Sequence, residues 1–89
     1  MNKTLKSTGK FDKDVALCKK RGLNMAKLKH VINLLAAGET LEAKYKNHKL
    51  TPKTDNLWDC HIAPDWVLIY TVSATEVTLV RTGTHADLF

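Results

Sequence analysis

The 89-residue sequence has no apolar run long enough to cross a bilayer, because its longest such run extends only from Trp66 to Tyr70. No apolar segment follows the basic residues near its start, so a secretory signal is not expected. Cys18 and Cys60 form no CxxC pair or other framework spacing. We interpret them as buried reduced thiols, with a single disulfide as the alternative. These absences predict one cytoplasmic domain over residues 1–89, with no membrane partner.

Glycine and arginine are also scarce. The four glycines are scattered, so phosphate-loop and dinucleotide-binding patterns are absent. The chain has twelve lysines but only two arginines, of which Arg81 stands alone in an acidic region. A guanidinium forms two parallel hydrogen bonds to a phosphate and stays charged during a reaction. Arg81 is therefore a candidate phosphate-binding residue, and the alternative is an ion pair with Asp87 or Asp65.

Charge is divided unevenly along the chain. Residues 1–53 hold thirteen lysines and arginines against four acidic residues, a net charge of +9. Residues 54–89 hold one arginine against five acidic residues, a net charge of −4. The basic half favours a polyanionic partner, with nucleic acid ahead of a membrane surface, and the alternative is a solvated helical face.

Helices are predicted in the first half of the chain. A short edge strand is expected over residues 2–7, and a cap at residues 7–9 begins a helix that Gly22 ends. Apolar residues at helical spacing predict a second helix from about Asn24 to Ala37. The short link implies an antiparallel helix hairpin. Residues 45–50 are interpreted as a basic loop, and Pro52 is expected to end any regular element.

The remaining chain is β-rich, with three predicted strands over residues 57–62, 66–72 and 76–82. Pro64 favours a tight turn containing Asp65 between the first two. Helices followed by strands predict an α+β fold: a helix hairpin packed on a small, mainly antiparallel sheet of about four strands.

Candidate functional side chains gather at one edge of that sheet. The first hairpin turn and the end of the third strand coincide in an antiparallel arrangement. The residues expected there are His61, Asp65, Trp66, Arg81 and His85. His48 joins them only if its loop folds back, and mid-helix His30 is interpreted as structural. A zinc site built from His48, Cys60, His61 and His85 is disfavoured, because adjacent strand residues face opposite ways and ligand-pair spacings are missing. No metal or other cofactor is expected.

Two patterns together resemble a known family. They are H-x-x-P-D-W over residues 61–66 and R-x-G-T-H over residues 81–85, and residues 11–14 and 45–50 match in the same order and spacing. The chain thereby resembles the YafQ branch of the RelE/ParE toxin superfamily over nearly its whole length. One departure is Trp58-Asp59, where many members carry an arginine. Either the basic contact of that arginine to RNA is missing in this chain, or an aromatic side chain that stacks on RNA replaces it.

The resemblance implies a ribosome-dependent mRNA endonuclease, the toxin of a bacterial toxin–antitoxin pair. Its expected partners are a cognate antitoxin, the ribosome and mRNA. It further implies attack of a ribose 2′-hydroxyl on the adjacent phosphate, with His85 as general acid and the base among His48, His61 and Asp65. Arg81 would stabilise phosphate charge, and Trp66 and Phe89 would stack on or position bases.

Two other functions stay open from the residues alone. One is a ParE-like toxin that inhibits DNA gyrase without catalysis, although that branch generally lacks the histidine set. The other is a basic RNA-binding or protein-binding module whose histidines are incidental.

Overall fold

The computed structural model describes residues 2–50 and 57–89. Its elements, in chain order, are β1 (Thr4–Ser7), α1 (Gly9–Lys20), α2 (Met25–Ala36), a 3₁₀ turn (Ala43–Tyr45), β2 (His48–Lys49), β3 (Leu57–Ala63), β4 (Trp66–Val72), β5 (Glu76–Gly83) and α3 (His85–Leu88). The expected role of Pro52 lies outside the described residues.

The two main helices begin and end at the residues that the sequence indicated. The Thr8 hydroxyl accepts a hydrogen bond from the Phe11 backbone N–H at 3.0 Å, and Asn24 Oδ1 accepts one from Ala26 N at 3.0 Å. These side chains satisfy N–H groups that have no partner within the helix. Gly22 follows α1 with a φ of 77°, a left-handed conformation that favours glycine.

The sheet has five strands in the order β1-β5-β4-β3-β2. β1 runs parallel to β5, whereas the other neighbouring strands are antiparallel. The expectation of about four strands is therefore corrected to five in a mixed sheet. The extra strand is β2, whose two residues are too few to show the alternation by which a strand is recognised in sequence.

The hydrophobic core lies between the helices and one face of the sheet. Its β residues include Cys60, Leu68 and Tyr70, which pack with Val31 and Leu35 from α2. Both cysteines are free and buried, which confirms the interpretation as reduced thiols. Burial, followed by the negative charge of Asp59, raises the pKa of Cys60 to about 12, so this thiol stays neutral.

Within the described ranges, no helix combines the length and apolar character needed to cross a membrane.

Candidate active site

A cross-strand row of residues forms the centre of the site. His48 on β2 lies opposite Asp59 on β3, Asp59 lies opposite Ile69 on β4, and Ile69 lies opposite Arg81 on β5. Directly opposite residues in an antiparallel sheet project from the same face. His61 is two residues beyond Asp59 and shares that face, while Cys60 between them projects the other way, into the core.

The segment before β2 folds back and brings His48 to the site. Asn47 Oδ1 accepts a 2.5 Å hydrogen bond from the hydroxyl of buried Tyr70, which ties this segment to β4. Lys46 adopts a φ of 48°, and its carbonyl oxygen lies 2.6 Å from Nδ1 of His48. The imidazole itself is more than half exposed. The loop that carries His48 therefore folds back towards the other candidate residues, as its membership of the site requires.

Asp65 and His85 form a direct contact at the hairpin end. Asp65 Oδ1 lies 2.7 Å from His85 Nδ1 and accepts the His85 backbone N–H at 3.1 Å. These two hydrogen bonds lower the pKa of Asp65 below its ordinary value, so the carboxylate stays charged. The His85 ring meets the His61 ring edge-on, with centroids 5.3 Å apart and an interplanar angle of 76°.

The short helix α3 holds His85 in place. Thr84 and Asp87 form a reciprocal capping box at its start. Asp87 also accepts two hydrogen bonds from the Arg21 guanidinium, at 2.6 and 3.2 Å, which hold the pKa of that carboxyl well below its usual range. Gly83 adopts a φ of 157°, and a Cβ there would lie 2.9 Å from Asp87 Oδ2. The turn into α3 therefore requires glycine.

Arg81 is paired, but with neither of the acids that the sequence suggested. Its Nε donates to Asp14 Oδ2 at 2.6 Å and one Nη donates to Oδ1 at 3.1 Å. The Thr82 backbone N–H donates to the same carboxylate at 3.2 Å. Asp14 on α1 thus fixes the plane of the guanidinium. The alternative that Arg81 pairs with Asp87 or Asp65 is therefore wrong.

A basic groove of about 630 Å³ reaches the site between α2, the 3₁₀ turn and the end of β3. His61 and Pro64 are among its lining residues. Its other lining residues include one imidazole and three lysines: His30, Lys27, Lys44 and Lys46. His30, which the sequence left without a function, is exposed and lies along this groove.

With this geometry in place, comparison with known proteins assigns the family. A family model described as "Bacterial toxin of type II toxin-antitoxin system, YafQ" matches residues 3–89. The chain belongs to the YafQ toxin family. A curated relative, the mRNA interferase toxin YafQ of Escherichia coli (strain B / BL21-DE3), is 40% identical over 90 residues, covering 100% of this chain and 98% of that protein.

Solved structures agree with the assignment to the YafQ family. The YafQ-like chain in the crystal structure of the Escherichia coli DinJ-YafQ toxin-antitoxin complex matches with a TM-score of 0.94 at 39% identity, covering 100% of this chain and 99% of that one. A metal-bound toxin from Helicobacter pylori matches with a TM-score of 0.90 at 35% identity, covering 100% of both chains. The predicted resemblance and the α+β class are confirmed.

The aromatic residues of this YafQ-family site differ from expectation. Trp66 is 3% exposed, and its indole N–H donates to the Thr82 hydroxyl at 2.9 Å. The Trp66 ring is part of the core, so of its two expected roles stacking on a base is wrong, and positioning a base stays a prediction. Trp58 is half-buried and packs against the core. Phe89 is 65% exposed, with its ring centroid 6.2 Å from that of His85.

Asp59 and Asp14 are the polar residues that sequence reasoning missed. Asp59 lies two residues before His61 on β3, and this spacing places both side chains on the same strand face. Asp14 carries no such signal, because it contacts Arg81 only through the packing of α1 against β5. No group of three or more histidine, cysteine or acidic side chains in residues 2–50 and 57–89 is placed to hold a metal ion.

Proposed function

We propose that this YafQ-family chain is a ribosome-dependent mRNA endonuclease and the toxin of a bacterial type II toxin–antitoxin pair. The observation that carries the proposal is the edge-on approach of His61 and His85, whose ring centroids are 5.3 Å apart. Two imidazoles at this separation can serve the two oxygens of one phosphodiester as base and acid. Histidine suits both roles because its unperturbed pKa lies near pH 7, at about 6.5.

The reaction is an internal transfer within the RNA. The base removes the proton of the 2′-hydroxyl, the 2′-oxygen attacks phosphorus, and the bond to the 5′-oxygen breaks. His85 gives its proton to that leaving oxygen, which leaves a 2′,3′-cyclic phosphate and a free 5′-hydroxyl. The 2.7 Å contact with Asp65 supports the protonated form of His85 and orients its ring. Asp65 is thereby assigned to the acid side, and the base is His61 or His48.

Two further residues complete the proposed site. Arg81, oriented by Asp14, uses its remaining N–H donors to stabilise negative charge on the phosphate. Phe89 presents an exposed ring beside His85, on which a base adjacent to the cleaved bond can stack.

The lysines of this chain form the surfaces that bind mRNA and ribosomal RNA. The groove that contains Lys27, Lys44 and Lys46 is also lined by His61 and fits a negatively charged RNA strand. The other lysines of the helices would dock on ribosomal RNA, where charge positions a protein without reading sequence. The DinJ-YafQ complex supports an antitoxin as the protein partner of this chain. A ribosomal substrate also places the protein in the bacterial cytoplasm.

The experiment is to map mRNA cleavage on programmed ribosomes with the wild-type protein and His85→Ala. Because a positioned acid contributes about 10²–10⁴-fold, His85→Ala should lose cleavage by that factor while keeping its fold and ribosome binding. The control is Asn33→Ala, an exposed α2 residue that is not among the groove's lining residues, and it should leave cleavage within about threefold of wild type.

Two results would overturn this function. One is undiminished cleavage by His85→Ala. The other is toxicity that acts through inhibited DNA supercoiling while translation stays intact, which would favour a gyrase inhibitor.

A further inference from the structure

The Asp59 carboxylate is buried beside two histidines. Its side chain is 8% exposed, and Oδ1 has no hydrogen-bond partner within residues 2–50 and 57–89. A buried charge without a partner is costly, so proteins retain one where it has a use. Oδ1 lies 3.9 Å from Nε2 of His48 and 3.8 Å from Nε2 of His61.

The hydrogen-bonding of His48 explains why Oδ1 has no partner. Nδ1 of His48 lies 2.6 Å from the Lys46 carbonyl oxygen, and a carbonyl oxygen only accepts. Nδ1 therefore carries the hydrogen, and the neutral ring presents the lone pair of Nε2 towards Asp59. Two acceptors repel, so a hydrogen bond forms only after Nε2 gains a proton. Oδ1 of Asp59 is thus placed to accept a hydrogen bond from the protonated form of His48.

His61 lies at nearly the same distance from this oxygen. It follows Asp59 by two residues on β3, is mostly buried, and places Nε2 3.8 Å from Oδ1. Its ring also meets His85, the proposed acid. Asp59 is therefore shared by both candidate bases, and one negative charge faces two imidazoles.

We propose that Asp59 is a positioning residue that supplies the shared counter-charge for His48 and His61 when one of them takes the 2′-hydroxyl proton. This proposal rests on the function proposed above. In the step, the 2′ O–H bond breaks, an N–H bond forms on the imidazole, and the resulting cation pairs with Asp59. His85 loses its proton to the 5′-oxygen, and exchange with water restores both groups.

Other charged or titratable groups around Asp59 do not replace this pairing. On β3 and β4, Cys60 and Tyr70 project from the opposite face, and burial, with a smaller contribution from the Asp59 charge, raises the pKa of both, so they remain neutral. On β5, Arg81 is separated from Asp59 by Ile69 and is bound to Asp14. On β2, Lys49 lies over the Trp58 ring. Among the described residues, His48 and His61 are the groups within reach of Asp59 that become cations by gaining a proton.

The test is Asp59→Asn, which keeps the shape and removes the charge. Proton NMR of the free protein follows the titration of each histidine ring. Without the negative charge, the protonated rings are less favoured, so the titration midpoints of His48 and His61 should move to lower pH, together by about one pH unit. The His30 midpoint, on α2, should not move and serves as the internal reference.

Activity gives the second readout. Cleavage on programmed ribosomes at pH 7 should fall about tenfold in Asp59→Asn, and the acidic limb of its pH profile should move to lower pH. Thermal stability at pH 7 should be no lower than that of the wild type, because the variant removes a buried charge whose Oδ1 has no hydrogen-bond partner among the described residues. A purely structural role for Asp59 predicts the reverse: lower stability with an unchanged pH profile.

A second variant keeps the proposal testable if Asp59→Asn does not fold. In His48→Gln, the neighbouring positive charge is gone, so the His61 midpoint should rise. Unchanged midpoints in either variant would overturn the sharing of Asp59. Failure of the wild-type protein to cleave mRNA would instead overturn the proposed function, and the NMR midpoints would still decide the role of Asp59.

Discussion

The site holds two aspartate–histidine arrangements that differ in burial and in distance. Asp65 and His85 are 68% and 47% exposed and lie 2.7 Å apart, at a turn and on a four-residue helix. Asp59 is 8% exposed, lies within the sheet, and stands 3.8–3.9 Å from its two histidines. Asp65 and His85 are in contact in the resting protein. In our proposal, Asp59 forms a hydrogen bond to His48 or His61 only after that imidazole gains a proton.

This difference matches the opposite tasks that we propose for His85 as acid and for His48 or His61 as base. A general acid must hold a proton before the reaction, and the close Asp65 carboxylate favours that state. A general base must start without one, and a carboxylate just beyond hydrogen-bond distance stabilises the product of the proton transfer instead. Burial of Asp59 strengthens its field because less water screens it.

The largest expected effect is on the exposed pair. Asp65→Asn keeps an acceptor near His85 but removes the charge, so cleavage on programmed ribosomes should fall roughly tenfold to a hundredfold. Thermal stability at pH 7 should barely change, because the pair is exposed. The control is Asp12→Asn on α1, which should leave cleavage unchanged. Equal activity of Asp65→Asn and wild type would remove the distinction between the two arrangements.

The pH dependence of this pair has a definite sign. The pKa of Asp65 is lowered by its hydrogen bonds to His85, so the contact is fully formed above the ordinary aspartate value and is lost as the pH falls through the lowered one. In His85→Ala, a carboxyl ¹³C titration should show the Asp65 midpoint rising towards about 3.9. A midpoint unaffected by the substitution would contradict the contact.

The next effect concerns the buried support of the hairpin. Thr82 is 1% exposed and its hydroxyl accepts from Trp66 and donates to the Val67 carbonyl at 2.8 Å. Thr82→Val leaves both groups unpaired and should destabilise the protein by about 1–3 kcal/mol. Each kcal/mol corresponds to a fall in Tm of about 4–8 °C in a domain of this size, measurable by thermal unfolding.

The matched control for that substitution is Thr78→Val, on the same strand and only half-buried. Its Tm should stay within about 2 °C of wild type. If both variants unfold at the same temperature as wild type, the Thr82 hydroxyl does not support Trp66.

The smallest effect is expected at the attachment of α3. Arg21→Gln removes the two hydrogen bonds to Asp87 but leaves the capping box and the Asp65–His85 contact. Cleavage should fall about twofold to fivefold, as His85 loses part of its support. Asp12→Asn on α1 is again the control and should behave as wild type. A larger loss than that of Asp65→Asn would show that the helix position, rather than the acid's charge partner, dominates.

Most of the fold was predictable because its signals are local. Helical spacing and capping residues located α1 and α2, and Pro64 located the hairpin. Strand ends alone brought His61, Asp65 and His85 to one edge, since neighbouring antiparallel strands share their ends. β2 was not predictable, because two residues become a strand only through pairing with β3.

The sequence by itself determined that His61, Asp65 and His85 lie at one edge of the sheet, and the tertiary structure decided which groups each site residue contacts. Arg81 meets Asp14 across 67 positions, Trp66 turns into the core, and Asp59 faces two histidines from within the sheet. Periodicity and capping are encoded within a few neighbouring residues. Ion-pair partners, burial and the distance between two charges depend on how distant elements pack.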